Sequence, residues 1–315
     1  MSKILVTGAA GMLGTALISH CCHGYDVVAT DLQIGSQFPG VRWVLADLSN
    51  QVFVRRLIRS ERPNLVVHTA AIVDVDRCER DPALAEQLHV QATNTIAQAL
   101  AQSGGALVYI STDSVFNGQK ATPYNESDTP APLNVYASTK LAGEGACLAF
   151  QPNLVLRTNI FGWSRANRLS FAEWVLRGLV EGAPLGMFAD VQFTPIHVSF
   201  LASVIVDAWR MGLTGLFHAA GSTSLSKYDF ALQMAARFGL SAHSVVASSV
   251  DDAPLSATRP KTLALSNANL TAALGRALPP VSDSIDLMKA QYDDGWVALI
   301  KGRRTASQYR FWEEP

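Results

Sequence analysis

The sequence predicts an α/β protein built on a doubly wound parallel sheet with a smaller C-terminal lobe. Three observations lead there. Residues 3–14, KILVTGAAGMLG, pass from an apolar β-branched run through glycines into a helical pattern. Short, continuously apolar runs then alternate with helical stretches as far as about residue 159, which is the mark of strands covered on both faces. Beyond that point the alternation weakens, and Pro184, Pro195, Pro254, Pro260, Pro279 and Pro280 punctuate shorter elements. Together these describe a Rossmann-type dinucleotide-binding domain over residues 1–159 plus parts of 196–221, with a substrate-binding lobe from 160–195 and 222–315.

The elements follow in order. KILVT is the first strand and MLGTALISHC its helix; YDVVATD, VRWVLADL and NLVVHTAA are the second, third and fourth strands. QVFVRRLIRSERP, between the third and fourth, is amphipathic and closed by Pro63. ALAEQLHVQATNTIAQALAQSGG reads as one long helix ended by Gly104 and Gly105, and ALVYIST as the fifth strand. A helix carrying VYASTKLAGE and the strand NLVLRTNIFG come next, and TPIHVSFLASVIVDAWRM with GLFHAAG returns to the sheet.

Composition limits the function. The chain has 315 residues, 49% hydrophobic and 16% charged, with a formal net charge of -1, which describes a compact globular protein with no global field for nucleic acid or an anionic membrane. MSKILVTG enters a strand directly, without a signal peptide, and no stretch of 18 apolar residues occurs, so a cytoplasmic protein is expected. Cys21, Cys22, Cys78 and Cys147 lack CxxC or disulfide spacing and fit reduced thiols. HCCH at 20–23 places four side chains in four directions about a helix end, so they cannot close on one metal ion.

Gly8, Gly11 and Gly14 form G-x-x-G-x-x-G between a strand and a helix. Glycines there permit positive φ and close backbone approach, and the helix N-terminus offers free N–H groups to a pyrophosphate. Met12 and Leu13 share that turn. Asp31, 17 residues beyond Gly14, stands where a carboxylate accepts hydrogen bonds from the adenosine ribose and repels a 2′-phosphate. No Arg or Lys occurs between Asp31 and Arg42, so NAD(H) is the preferred cofactor and NADP(H) the alternative. Asp47 and Leu48 are expected near the adenine, and Ala70 and Ala71 along the cofactor.

Only one of the seven tyrosines, Tyr136, has Lys at i+4, and Lys140 lies on the same helix face. A phenol with an ordinary pKa of about 10 needs a fixed cation beside it to serve as an acid at neutral pH. Thr112, at the end of ALVYIST, brings a hydroxyl to the same place; Ser111 is its alternative. The trio Thr112, Tyr136 and Lys140 suits protonation of a carbonyl oxygen during hydride transfer, with Tyr136 and Lys140 also touching the nicotinamide ribose.

GAAGMLG, HTAAIVDVDRCERDP, STDSVFNGQKATPYNESDTPAPLNVYASTKLAGE, LRTNIFG and ATRPKTLALS resemble the extended short-chain dehydrogenase/reductase family, within it the dTDP-4-dehydrorhamnose reductase branch of the NAD-dependent epimerase/dehydratase superfamily, over nearly the whole chain. The resemblance implies reduction of the 4-keto group of a nucleotide-linked 4-keto-6-deoxy sugar. Dehydratases of the family need an acidic pair after the threonine, but here Ser114 follows Asp113; epimerases usually carry Ser at the Thr112 position, and a nucleotide-sugar epimerase is kept as an alternative to the reductase. Val73, Asp74, Asp113, Ser114 and Asn159 are implied substrate contacts, with Arg259, Arg165 and Arg168 as candidates for the diphosphate. The family reductase has Tyr at the Ser114 position and an aromatic residue where this chain has Ile160, so its pocket is expected to differ. Thr15 and Ala16 replace the glutamate through which some members hold magnesium, so no metal is expected. The resemblance also implies a homodimer, and it extends to a non-catalytic alternative, the dinucleotide-binding regulatory subunit of methionine adenosyltransferase.

Overall fold

In the computed structural model, the described residues are 1–165, 169–252 and 259–302. Arg168 lies outside them, as do Arg303 and Arg304 of the short basic stretch KGRR at 301–304 and the terminal YRFWEEP. Strands β1 (Lys3–Thr7), β2 (Asp26–Asp31), β3 (Arg42–Leu45), β4 (Leu65–His68), β5 (Ala106–Thr112), β6 (Leu154–Thr158) and an edge strand, Gly215–His218, form one parallel sheet in the order β3-β2-β1-β4-β5-β6-edge. The chain winds outward from β1 in both directions, so a crevice opens at the carboxyl ends of β1 and β4. Register levels that edge: Thr7 pairs with Thr30 and His68, and Thr112 with Thr158.

Both faces are covered. Helix α1 (Met12–Cys21) and the Val198–Arg210 helix pack on one face through Leu17, Ile18, Leu201 and Ile205, all fully buried. Helix α2 (Gln51–Glu61), the Ala92–Ser103 helix and the Val135–Leu148 helix cover the other through Ile58, Ile96, Leu100 and Cys147. Each buried Leu or Ile contributes about 1.5–3 kcal/mol relative to exposure. A second core gathers Phe161, Trp163, Leu176, Phe193, Phe230, Met234, Ile285 and Met288 from the shorter elements after β6. It is stitched by paired two-residue strands, Ile160–Phe161 with Ile196–His197 and Gln192–Phe193 with Leu225–Ser226. Leu270, Leu274 and Leu278 pack instead into the core beneath α1, although they follow residue 222 in sequence.

Several elements are shorter or less regular than their apolar runs suggest. β3 ends at Leu45 because the Asp47 carboxylate accepts the Ser49 N–H at 2.9 Å and Asn50 caps α2, accepting from Phe53 at 3.0 Å. β4 ends at His68, where the Thr69 hydroxyl turns to the Thr7 carbonyl at 2.6 Å. The long helix over Pro82–Ser103 contains a π turn at Gln87–Gln91. At that turn the Val135–Leu148 helix comes close enough that a Cβ on Gly143 would stand 2.5 Å from the His89 carbonyl oxygen. Gly104, in the left-handed region at φ 83°, ends the helix by donating to the Leu100 carbonyl at 2.8 Å.

A buried ion pair fastens the Val135–Leu148 helix to the sheet. Glu144 accepts from Arg157 Nε and Nη2 at 2.9 and 2.7 Å and from the Ser111 hydroxyl at 2.5 Å, bridging β5, β6 and the helix. Such a pair adds little net stability over apolar packing, but it fixes register because either charge left alone would be costly. The helix axis that carries Tyr136 and Lys140 is thereby set against the end of β5.

Candidate active site

The glycine loop leaves β1 with Gly8 at φ 64°. A Cβ on Gly8 would lie 2.6 Å from the Ala70 nitrogen, and one on Gly14 would lie 2.3 Å from the Gly8 oxygen. Gly11 is crowded only by the Gly8 oxygen, at 3.1 Å, so its backbone stays approachable. Asp31, at the end of β2, accepts from the Ala10 N–H at 3.0 Å and from Leu32 at 2.7 Å, which ties the carboxylate to the loop. Met12 and Leu13 begin α1, Ala70 and Ala71 follow β4, and Leu48 is buried beside Ala46. Asp47 is exposed on the turn before α2. These positions line the crevice above β1 and suit a dinucleotide: narrow at the glycines, acidic at the end of β2.

At the end of β5 the three hydroxyl and carboxyl groups of Thr112, Tyr136 and Asp113 come together. Tyr136 lies one residue into the Val135–Leu148 helix that Asn134 caps, and the Thr112 hydroxyl and Asp113 carboxyl both act on its phenol. Thr112 Oγ1 also accepts from the Ser114 N–H at 3.1 Å and donates to Asp113 Oδ1 at 3.2 Å. Burial pushes the Tyr136 phenol up to about 12; the Thr112 hydrogen bond works against that rise and the Asp113 charge adds to it.

Lys140, expected from its i+4 spacing to act on the phenol, has its ammonium held on β5. Its ammonium donates to the Ile110 carbonyl at 2.6 Å and stands 4.0 Å above the Tyr109 ring. It is only 3% exposed, and burial pulls it down to about 7 while Glu144 pulls the other way. That bond uses one of the three ammonium N–H groups.

Two histidines missed in the sequence frame this cation. His89, on the π turn, accepts from the Ile72 N–H at 3.0 Å through Nε2 and shares a 2.8 Å hydrogen bond with Thr139 through Nδ1. Its ring meets Tyr136 edge-on at 5.9 Å, so it couples the residue 72 loop to the face of the helix that carries the phenol. His68 shares a 2.7 Å hydrogen bond with Thr7. Burial first, and then the Lys140 charge, hold both imidazoles down to about 3, so both are neutral neighbours of the buried ammonium. His89 takes its place from the π turn, which apolar periodicity does not register.

Of the expected substrate contacts, Asp113, Ser114 and Asn159 come together. Asp113 is 1% exposed and accepts from Asn159 Nδ2 at 2.6 Å and Ser114 Oγ at 3.2 Å. Burial raises its carboxyl, against the pull of Asn159 and of Lys227. Val73 is 69% exposed, and Asp74 caps the Val75–Arg80 helix, accepting from Arg77 at 3.0 Å. Arg259 meets that helix through Asp76 at 3.3 Å, so it reaches the Asp74 region already paired with a carboxylate, though its buried Nη1 has no hydrogen-bond partner among the described residues. Arg165 is partly buried at the end of its described segment. A surface depression of about 420 Å³ bordered by Lys120, Asn125, Thr194 and Asn267 holds none of these groups. Among the described residues no cluster of three metal-ligating side chains occurs, and no helix is long and apolar enough to cross a membrane.

The chain is similar to known proteins over most of its length. Residues 2–293 match the model of the RmlD substrate binding domain. The chain is 32% identical to dTDP-4-dehydrorhamnose reductase of Salmonella typhimurium over 235 residues, 73% of this chain and 76% of that protein. It is also 32% identical to methionine adenosyltransferase 2 subunit beta of Rattus norvegicus over 299 residues, covering 88% and 84%. The crystal structure of dTDP-4-dehydrorhamnose reductase from Bacillus anthracis in complex with NADP superposes with a TM-score of 0.83 at 26% identity, covering 92% of this chain and all of that one.

The buried cation has a measurable signature. With Lys140 lowered from 10.5 to about 7, the unfolded chain binds the extra proton between those pH values, so the cost of burial is full below pH 7 and fades as pH rises. Chemical denaturation of wild type and Lys140→Met from pH 6 to 10 is expected to show the stability difference moving in favour of wild type by a few kcal/mol. A difference independent of pH would contradict this environment for Lys140.

Proposed function

The chain belongs to the RmlD substrate binding domain family, and from that premise we propose that it is an NAD(P)H-dependent reductase of the 4-keto group of a nucleotide-linked 4-keto-6-deoxy sugar. The observation that carries the reading is the gathering at the end of β5 of the Thr112–Asp113 hydrogen bond, the Tyr136 phenol on which both act, and the buried Lys140 ammonium held on the Ile110 carbonyl. The regulatory subunits are as similar in sequence as the reductases, so identity alone does not separate the two readings. A buried lysine beside a protonated phenol is costly for a protein that only binds a dinucleotide, and it suits one that transfers a proton.

In the proposed site the backbone of Gly11, Met12 and Leu13 at the start of α1 binds the pyrophosphate, Asp31 the adenosine ribose, and Asp47 and Leu48 the adenine. Ala70 and Ala71 lie along the cofactor beside Gly8. Bound NAD(P)H supplies the hydride. Thr112 hydrogen-bonds the substrate carbonyl, and Tyr136 gives its proton to the oxygen as negative charge builds there, leaving a phenolate that the Lys140 ammonium stabilises. A phenol held near 12 by burial is fully protonated at neutral pH, the form that reduction needs. Val73, Asp74, Asp113, Ser114 and Asn159 face the sugar, with Arg165 and Arg259 toward the diphosphate. Ser114 adds no second carboxylate beside Asp113, which disfavours dehydration.

NADH is the proposed preference, because Asp31 closes the ribose end and Arg42, the next cation along the chain, is engaged by Glu61. The family also includes a structure holding NADP, so the preference is a separate question from the chemistry.

Two measurements test this. Purified protein with NADH or NADPH and a dTDP-linked 4-keto-6-deoxy sugar is expected to lose absorbance at 340 nm, and Tyr136→Phe to slow the loss by about 10²- to 10⁴-fold. Equal silence of wild type and variant across dTDP, UDP, GDP and CDP sugars would support the regulatory-subunit reading instead. Asp31→Asn, which keeps an acceptor but removes the charge, is expected to lower the NADH over NADPH ratio of kcat/KM about tenfold; an unchanged ratio would remove Asp31 as the discriminating group.

A further inference from the structure

Lys227, the first residue of the Lys227–Phe238 helix, belongs to no motif singled out in the sequence. Its backbone N–H donates to the Val191 carbonyl at 3.1 Å, and Ser226 caps the helix before it by accepting from Asp229 at 2.9 Å. Its stem is therefore anchored in the second core, and its ammonium is aimed by the rings around it: 4.0 Å from the centroid of Phe193 and 4.1 Å from that of Phe171. Among the described residues, the carboxylate that acts on it is that of Asp113, at the end of β5 in the other core. No carboxylate among the described residues lies within ion-pairing distance of it.

A cation between two aromatic faces is partly compensated, but aromatic faces accept no ordinary hydrogen bonds, and its three N–H donors call for oxygen acceptors. Asp113 has the opposite character. Its oxygens already accept from Thr112, Ser114 and Asn159, and a fully charged carboxylate beside Tyr136 resists loss of the phenol proton. Asn159 connects the two cores: it donates to Asp113 at 2.6 Å, and its carbonyl accepts from the N–H of Ile196, three residues beyond the Phe193 ring under Lys227, while the Asp113 charge acts on the Lys227 ammonium.

We infer that Lys227, together with Asp113 and Asn159, forms a subsite that reads neighbouring hydroxyl groups on the hexose ring, Lys227 donating to one oxygen while Asp113 accepts from the next. The inference rests on the nucleotide-sugar reading above and deepens it by naming what selects the sugar. Lys227 is a specificity and positioning residue. It binds ring oxygens away from the carbonyl and orients that carbonyl toward Thr112 and Tyr136. Because Lys227 comes from the second core and Asp113 from the sheet, sugar binding would draw the two cores onto one ligand.

Titration calorimetry with the NADP-loaded protein and dTDP-glucose, a hydroxyl-bearing nucleotide sugar that cannot be reduced, separates this from the activity. Lys227→Met is expected to weaken dTDP-glucose binding about tenfold or more while leaving binding of dTDP alone unchanged, and Lys227→Arg to restore most of the loss. In turnover with a keto sugar, Lys227→Met should raise KM far more than it lowers kcat. If wild type and Lys227→Met bind dTDP-glucose equally, or if dTDP loses affinity in parallel, the subsite is wrong although the reductase reading stands. If wild type binds no nucleotide sugar and reduces none, both fall.

Discussion

The arrangement at the sheet edge depends on one constraint: the Lys140 ammonium must be kept, nearly dry, beneath the end of β5. A bare ammonium in an interior is expensive, and the structure spreads that cost over the Ile110 carbonyl at 2.6 Å, the face of Tyr109 at 4.0 Å and the more distant charge of Glu144. Each support has its own anchor. Glu144 is held by Arg157 and Ser111, Tyr109 lies fully buried against His68, and both histidines nearby are neutral, so no second charge competes. The helix with Tyr136 and Lys140 cannot turn or slide without unpairing one of these groups.

That constraint explains why the phenol and the ammonium are not simply neighbours on a helix face. Lys140 reaches back under the sheet, and Tyr136 reaches forward to Thr112 and Asp113. The phenol consequently stays protonated, raised to about 12 by burial and by Asp113, and becomes a useful acid only when an oxygen in front of it gathers negative charge. In the proposed reaction that charge is the developing alkoxide. Asp113 both orders Thr112 and restrains Tyr136, which makes the residue after the threonine as consequential as the threonine itself.

Much of this was legible in the chain because it follows from periodicity and from turn chemistry. Apolar runs located β1, β2, β5 and β6, and GLFHAAG did rejoin the sheet, as an edge strand beside β6. Glycines at 8, 11 and 14 announced a tight approach to another backbone, and that approach is to Ala70. Less legible were features set by side-chain hydrogen bonds, such as the early ends of β3 and β4, and by an extra residue in a helix, such as the π turn at Gln87–Gln91. His89 and Lys227 carry no local signature, since each acquires its role from partners 50 residues or more away: Thr139 for one and Asp113 for the other. Spacing placed Lys140 beside Tyr136 but could not show that a carbonyl in β5 would claim its ammonium.

The central claim is that this edge of the sheet delivers a proton to a sugar carbonyl while hydride arrives from the cofactor. Isotope transfer tests it most directly. Protein would be mixed with NADH or NADPH carrying deuterium at C4, on each face in turn, and a dTDP-linked 4-keto-6-deoxy sugar, and the sugar analysed by mass spectrometry and NMR. A product bearing one deuterium on the former carbonyl carbon, from one cofactor face only, is the predicted result; sugar recovered unlabelled with either face, from protein that binds both ligands, would contradict it.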